Sequence, residues 1–384
     1  MRIHPNHWNQ VKLGDLVDIC TGKRDANHGS ENGKFPFFTC AQTVSRIDDY
    51  SFDTEAVLVA GNGDFNVKYF KGKFDAYQRT YILDDFKKST GLFIYYKVEQ
   101  ALDEIMKNNQ GSSVKFIKKG DLTDFEFSLP PLHEQKKIAQ ILTSVDEDIQ
   151  ATQKVIDQTT QVKKGLMEDL FTKGIGHTKF KDSELRKIPE SWVVKELQEI
   201  ASVDRGKFSH RPRNDAKFYN GSYPFIQTGD VVSSKVFIDN FSQSLNEKGY
   251  SVSRQFPKGT IVMTIAANIG DVGILSFDSC FPDSLVGITA NDNVVDNGYL
   301  YYFLYTQKEY LNRIATQSAQ KNINLQKLNP LNVIVPPIDE QKKISSSLLV
   351  LDEKISIYRD KKLQLRRVKK GLMQDLLSGN KLLS

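Results

Sequence analysis

A stretch of 42 residues occurs twice in this chain without a gap: Leu129–Leu170 pairs with Val335–Leu376 at 20 identical positions, at a constant offset of 206. The shared residues include the openings Pro130-Pro-x-x-Glu-Gln-Lys-Lys-Ile138 and Pro336-Pro-x-x-Glu-Gln-Lys-Lys-Ile344, and the pairs Asp146-Glu147 and Asp352-Glu353. Each copy closes on the same run, Val162-Lys-Lys-Gly-Leu-Met167 and Val368-Lys-Lys-Gly-Leu-Met373. Chance supplies only a few such matches. The chain is therefore divided into two half-units, and its fold has to serve both.

Each copy reads as a long helix with a defined start. Two successive prolines cannot lie inside a helix, so they end a strand and let a helix begin at about Leu132 or Ile338. Apolar residues then recur at steps of three and four: Ile138, Leu142, Val145, Ile149, Ile156, Val162, Leu166 and Leu170, and Ile344, Leu348, Leu351, Ile355, Leu365, Val368, Leu372 and Leu376. That spacing makes one stripe, with charged and amide side chains opposite. Thr152, Thr159 and Lys362 interrupt the seam, and the spacing near 159–162 slips out of a strict heptad. Residues 132–173 would make a helix of roughly 60 Å. Neither helix can bury such a stripe alone. The economical solution is a coiled-coil pair, antiparallel because two-fold repeats tend to pack with two-fold symmetry.

Around these helices lie two blocks of mixed pattern. In 1–128, Val11–Ile19 is a short amphipathic segment and Cys20–Lys34 a turn-rich, cationic loop. Short β-prone runs follow at Phe35–Thr39, Ala56–Ala60, Asn66–Phe70 and Thr80–Leu83. Leu92–Lys107 has helical spacing, and Asp124–Leu129 leads as a last strand into the prolines. Residues 181–334 retell this in diverged form. Pro5-x-x-Trp8 matches Pro189-x-x-Trp192, Thr21-Gly-Lys-Arg24 matches Arg205-Gly-Lys-Phe208, and Tyr95-Tyr96 falls on Tyr301-Tyr302. The landmarks persist while the loops between them differ, which suggests two different specificities on one scaffold. The expected class is α+β: two similar globular domains joined by two long antiparallel coiled-coil helices, with internal pseudo-two-fold symmetry. The expected segments are 1–130, 131–174, 175–335 and 336–384.

Composition excludes several classes. Met1–Trp8 has no apolar run and no later window approaches 18 uninterrupted apolar residues, which argues against secretion and membrane spanning and for a cytoplasmic protein. Three scattered cysteines fit reduced thiols rather than a disulfide framework. A net charge of +5 permits nucleic acid without demanding it. No Gly-x-x-x-x-Gly-Lys-[Ser/Thr] is present, and Gly61-Asn-Gly-Asp64 reads as a hairpin turn rather than a nucleotide loop. The histidines and cysteines show no ligand spacing, so no metal site is expected.

Two variable α+β blocks, each followed by a long helix opened by Pro-Pro-x-x-Glu-Gln-Lys-Lys-Ile and closed by Val-Lys-Lys-Gly-Leu-Met, resemble the specificity subunit of type I restriction-modification enzymes across essentially the whole chain. The resemblance implies that each globular domain recognises one half of a split, asymmetric DNA site. The helices would act as the ruler between the halves and dock two modification (methyltransferase) subunits. Those partners would bring S-adenosylmethionine, and restriction subunits, where present, ATP and Mg2+ for translocation and cleavage. The chain itself would bind double-stranded DNA, hold no cofactor and catalyse nothing.

DNA reading needs cations for phosphates and amide, guanidinium or hydroxyl groups for base edges. The loops offer Lys23, Arg24, Asn27, Lys68, Gln78, Arg79, Ser112, Ser113 and Lys115 in the first domain. In the second they offer Arg205, Lys207, Arg211, Arg213, Asn268, Gln320, Lys321 and Asn322. Glu134, Gln135 and Lys136, with Glu340, Gln341 and Lys342, are the expected partner-facing set, their acids also favouring the helix start. The tyrosine pairs are expected in the core. The alternative reading is a coiled-coil protein scaffold that reads no DNA sequence.

Overall fold

The computed structural model describes residues 7–107, 115–210, 212–266, 268–315 and 322–379. Its four longest helices are α1 (Gly91–Lys107), α2 (Leu132–Thr172), α3 (Asn297–Thr306) and α4 (Ile338–Leu376). α2 and α4 begin directly after Pro130-Pro131 and Pro336-Pro337, as the sequence requires, and none of the described helices is long and apolar enough to cross a membrane.

The chain forms two compact units, Met1–Gln153 with Asp360–Ser384, and Lys154–Arg359. The boundary cuts each long helix in its middle. The helices are thus not spacers set apart from the globules, because each half of each helix belongs to a globule's core.

In the first unit, β1 (Asn9–Lys12) pairs antiparallel with β8 (Glu126–Leu129). The expected amphipathic segment after Val11 is in fact β1, a tight turn and β2. A six-stranded sheet runs in the order β2 (Asp18–Thr21), β7 (Thr80–Asp84), β5 (Phe52–Ala60), β6 (Val67–Ala76), β3 (Phe35–Phe38), β4 (Ser45–Ile47). Residues 61–66 close the β5–β6 hairpin, with Gly63 at φ +69° supplying the left-handed step. The strand period of two splits β5 between two cores. Val57 and Val59 face a cluster that includes Trp8, Leu13, Phe93 and Ile94, whereas Ala56 and Leu58 face a smaller one with Phe38, Phe74 and Ile82. The larger cluster also takes Ile138 and Leu142 from α2 and Met373 and Leu376 from α4.

The second unit repeats the plan. Val193–Glu196 pairs with Asn332–Val335, and a five-stranded sheet runs from Ala201–Arg205 through Leu285–Ala290, Ile261–Thr264 and Val272–Leu275 to Phe237–Ile238. Beside it lies a four-stranded sheet centred on Tyr219–Phe225 and Ser279–Cys280, with no counterpart of the same form among the described residues of the first unit. The core again mixes globule and helix: Tyr299–Leu304 of α3 pack with Met167, Leu170 and Phe171 of α2 and Ile344 and Leu348 of α4. Of the tyrosine pairs expected in the core, Tyr96, Tyr301 and Tyr302 are buried, while Tyr95 is half-buried against the same cluster as Tyr96.

The helices run antiparallel. In the first unit Asp146 meets Lys369 and Gln153 meets Lys362, while in the second Lys163 meets Asp352 and the Ile175 N–H reaches Glu340, so partners descend along α4 as they rise along α2. Thr152 and Thr159 are buried on the seam, where their spacing placed them. Val162 and Val368 are not. They are 59% and 51% exposed, and the adjacent Lys163 and Lys369 turn inward with side chains only 13% exposed. The reason is electrostatic: each ammonium meets a carboxylate that is itself held by a tyrosine, which offsets the cost of removing the charge from water.

Candidate nucleic-acid interface

In the first unit, hydrogen bonds tie five loops into one cluster. The Gly22 N–H donates to Thr80 O (3.2 Å), Gln78 N–H to Arg24 O (2.9 Å), Gly61 N–H to Arg79 O (2.9 Å), and Ile117 N–H to Gly61 O (2.8 Å). Asn66 Nδ2 donates to Cys40 O at 2.9 Å. The glycine at position 22 is dictated by space, since a Cβ there would overlap the Ala76 carbonyl. The cluster gathers the candidates Lys23, Arg24, Lys68, Gln78, Arg79 and, at its edge, Lys115, which had been scattered along the sequence. Asn27 is exposed one short turn further on, its N–H donating to Asp25 Oδ1.

These side chains are not equivalent. Arg24 Nε donates to Oδ2 of the fully buried Asp75 (3.2 Å), which also accepts from Ser51 Oγ (2.7 Å). Lys68 is a strand residue whose ammonium donates to Ala41 O (2.7 Å) and to Asn66 Oδ1, and burial lowers its pKa from the ordinary lysine value. Both therefore tie loops to the sheet: Arg24 anchors its loop to β6, and Lys68 of β6 holds the loops at Ala41 and Asn66. Lys23, Gln78, Arg79 and Lys115 are exposed, and the three cations among them make no ion pair among the described residues.

The second unit has a corresponding cluster. Gly206 N–H donates to Leu285 O (2.9 Å), a Cβ on Gly206 would overlap Pro282 O, and Ile323 N–H donates to Ile265 O (3.0 Å), 206 positions after the Ile117 bond. Lys207, following Gly206 as Lys23 follows Gly22, is likewise exposed and without an ion pair among the described residues. Arg205 Nε donates to Asp283 O (2.6 Å) and Arg213 pairs with the Asp283 carboxylate, so both are held by one acidic loop residue. Asn268 is exposed, and Asn322 bridges to Ala266 as Phe116 does to Asn62. Ser112, Ser113, Arg211, Gln320 and Lys321 lie outside the described residues.

The expected partner-facing set is largely spent inside the chain. The Gln135 side chain is fully buried; it donates to Pro130 O (2.8 Å) and Lys88 O (3.1 Å) and accepts from Thr90 N–H (3.0 Å). Gln341 repeats the pattern with Pro336 O (2.8 Å), Val294 O (3.2 Å) and Asp296 N–H (2.8 Å). Glu134 accepts the Trp8 indole N–H (3.1 Å) and faces His7 (2.7 Å); Glu340 accepts from Trp192 (2.9 Å) and faces His177 (2.9 Å). Lys136 and Lys342 remain exposed. The motif thus fastens each globule to the start of its long helix, a role that helix-start chemistry alone did not reveal. The signal lay in Trp8 and Trp192, whose equivalence the repeat shows but whose partners, Glu134 and Glu340, it does not.

Two globules of one scaffold, each carrying a basic loop cluster and each built around halves of the same antiparallel helices, define a duplicated, helix-linked α+β protein. The Type I restriction modification DNA specificity domain matches residues 5–161 and again 189–367, and the chain belongs to that family. It is 28% identical to the type I restriction enzyme EcoDI specificity subunit of Escherichia coli, over 88% of this chain and 80% of that one. It is 26% identical to the MjaVIII specificity subunit of Methanocaldococcus jannaschii, over 98% and 93%. The fold matches the crystal structure of a type I restriction-modification system S subunit from M. genitalium with a TM-score of 0.70 at 16% identity, covering 100% and 99% of the two chains.

Proposed function

We propose that this chain is the DNA-reading subunit of a type I restriction-modification complex, with each globular domain recognising one half of a bipartite, asymmetric site. The observation that carries this reading is the equivalence of Gly22-Lys23 and Gly206-Lys207. In both units a glycine forced against a neighbouring backbone presents an exposed lysine, beside polar side chains that differ between the units. A shared phosphate contact with unshared base contacts is the chemistry of two readers docked alike on different sequences. In this reading Lys23, Arg79, Lys115 and Lys207 contact phosphates, and the amides of Gln78, Asn27, Asn268 and Asn322 serve base edges.

The paired helices set the gap between the half-sites and dock two modification subunits, for which Lys136 and Lys342 remain available at the helix starts. The chain is non-catalytic and holds no cofactor. Adenine methylation with S-adenosylmethionine belongs to the modification subunits, and ATP- and Mg2+-dependent cleavage to restriction subunits where they accompany the complex, in the cytoplasm.

The test is a map of methylated adenines in cells expressing the modification subunits with and without this chain. A split motif with a fixed gap, present only with the chain, is expected. A stable complex that adds no motif would leave a protein scaffold.

A further inference from the structure

In each unit three side chains from three elements meet at one point. Tyr96 of α1 donates its hydroxyl hydrogen to Asp146 Oδ2 of α2 (2.9 Å), and Lys369 of α4 pairs with Asp146 Oδ1 (2.9 Å) while lying 5.3 Å from the Tyr96 ring centroid. In the other unit Tyr302 of α3 donates to Asp352 Oδ2 of α4 (2.7 Å), and Lys163 of α2 pairs with Asp352 Oδ1 (2.7 Å), again 5.3 Å from the tyrosine ring. All three positions are related by the offset of 206. The long helices exchange parts: the one that gives aspartate in one unit gives lysine in the other.

Packing alone does not call for this arrangement. Burying a lysine in a helix seam carries a desolvation cost that pairing only offsets, and valine stands one residue away in both copies yet is turned outward. What the triad supplies is direction. Apolar contacts tolerate sliding and rotation, whereas charge-assisted hydrogen bonds hold only within narrow limits of length and angle. Each triad joins one globule helix to both long helices, so it fixes the rotation and height of that globule on its helix pair.

We propose that Tyr96, Asp146 and Lys369, and Tyr302, Asp352 and Lys163, are positioning residues that set the gap length the protein accepts between its half-sites. This rests on the bipartite reading given above. A loosened triad leaves the reading loops intact but lets the globule rock, so neighbouring gaps become acceptable.

The experiment uses the full chain co-expressed with its modification subunits, with methylated adenines mapped in cellular DNA. The wild type is expected to modify one gap length. Tyr96→Phe and Lys369→Met are expected to keep both half-sites and to raise methylation at gaps one base pair longer or shorter by about tenfold relative to the wild type, the scale of losing one hydrogen bond to a charged group. Lys369→Arg, which keeps the ion pair, should restore the single gap. Tyr96→Phe removes only a hydroxyl, so it reports even where Lys369→Met fails to accumulate. A single gap in Tyr96→Phe, with only the denaturation midpoint lowered, would overturn the proposal, as would a changed base within a half-site. Absence of any split motif in the wild type would instead defeat the bipartite reading itself.

Discussion

Lys369 holds two carboxylates at once, Asp146 at 2.9 Å and Glu99 at 3.0 Å. Its counterpart Lys163 pairs with one carboxylate among the described residues, Asp352, and where Glu99 would recur stands Tyr305, whose ring centroid lies 5.3 Å from the ammonium. The duplicated junctions therefore differ by one acidic group, Glu99, which makes them separable by experiment.

Removing the lysine alone leaves its acids stranded. Lys369→Ala should destabilise the first unit by about 2 kcal/mol, and the multiple variant Lys369→Met/Asp146→Leu/Glu99→Leu should recover most of that loss, because removing both acids with the lysine leaves no uncompensated charge. Urea denaturation midpoints of the two variants check this. Equal losses in both would show that the ion pair contributes little beyond packing.

The extra acid predicts a pH dependence confined to the first unit. Burial is the largest influence on Glu99 and raises its pKa above the ordinary 4.5, against the opposing pull of Lys369. The folded chain then binds this proton more tightly than the unfolded chain does. The stability contributed is fully present below about 4.5 and is lost as pH rises through the folded value. Glu99→Gln should remove that decline while Lys369 keeps Asp146, so its denaturation midpoint should gain on the wild type between pH 4 and 7. A constant difference across that range would refute the assignment.

Gln135 and Gln341 each satisfy two carbonyls and one N–H in a closed space. Gln135→Ala should cost about 2–3 kcal/mol by leaving those groups unpartnered. Gln135→Glu should cost at least as much despite its matching size, since an ionised carboxylate cannot donate to Pro130 O and Lys88 O. Amide hydrogen exchange in 88–93 should accelerate in both variants, and unchanged protection there would count against the fastening role.

Gly22→Ala and Gly206→Ala each force a Cβ onto a neighbouring carbonyl oxygen. Under the proposed function, Gly22→Ala should relax or abolish reading of one half-site and Gly206→Ala of the other, with helix content unchanged by circular dichroism. Methylation maps of the two variants decide the matter. Loss of both half-sites from either change would mean that the two readers do not act independently.

Much of this architecture was legible in the chain. The Pro-Pro pairs marked both helix starts, the apolar steps gave most of the seam, and Tyr96, Tyr301 and Tyr302 proved buried. Ranking residues by hydrophobicity failed at Val162 and Val368, because a lysine with an aspartate waiting opposite can outcompete a valine for the seam. Helix-start chemistry likewise pointed Glu134 and Gln135 to capping and partner contact, whereas both are buried, on Trp8 and on the Pro130 and Lys88 carbonyls. The candidates were found as residue types, but their division into Arg24 and Lys68, which tie loops to the sheet, and Lys23 and Arg79, which do not, depended on Asp75, Ala41 and Asn66.

The sequence by itself determined the duplication, the helices and the two-domain plan, because those follow from local rules: chain stiffness at proline, a period of 3.6 or 2, and an offset that a reader can count. Only the tertiary structure decided which of the repeated polar residues turn inward and what they hold. Trp8 and Glu134 lie 126 residues apart, and Gln100 and the Met373 carbonyl 273. No local preference carries information over such separations. Those pairs exist because closing the fold removes each group from water, and a desolvated charge or amide is stable only where a partner has been brought to meet it.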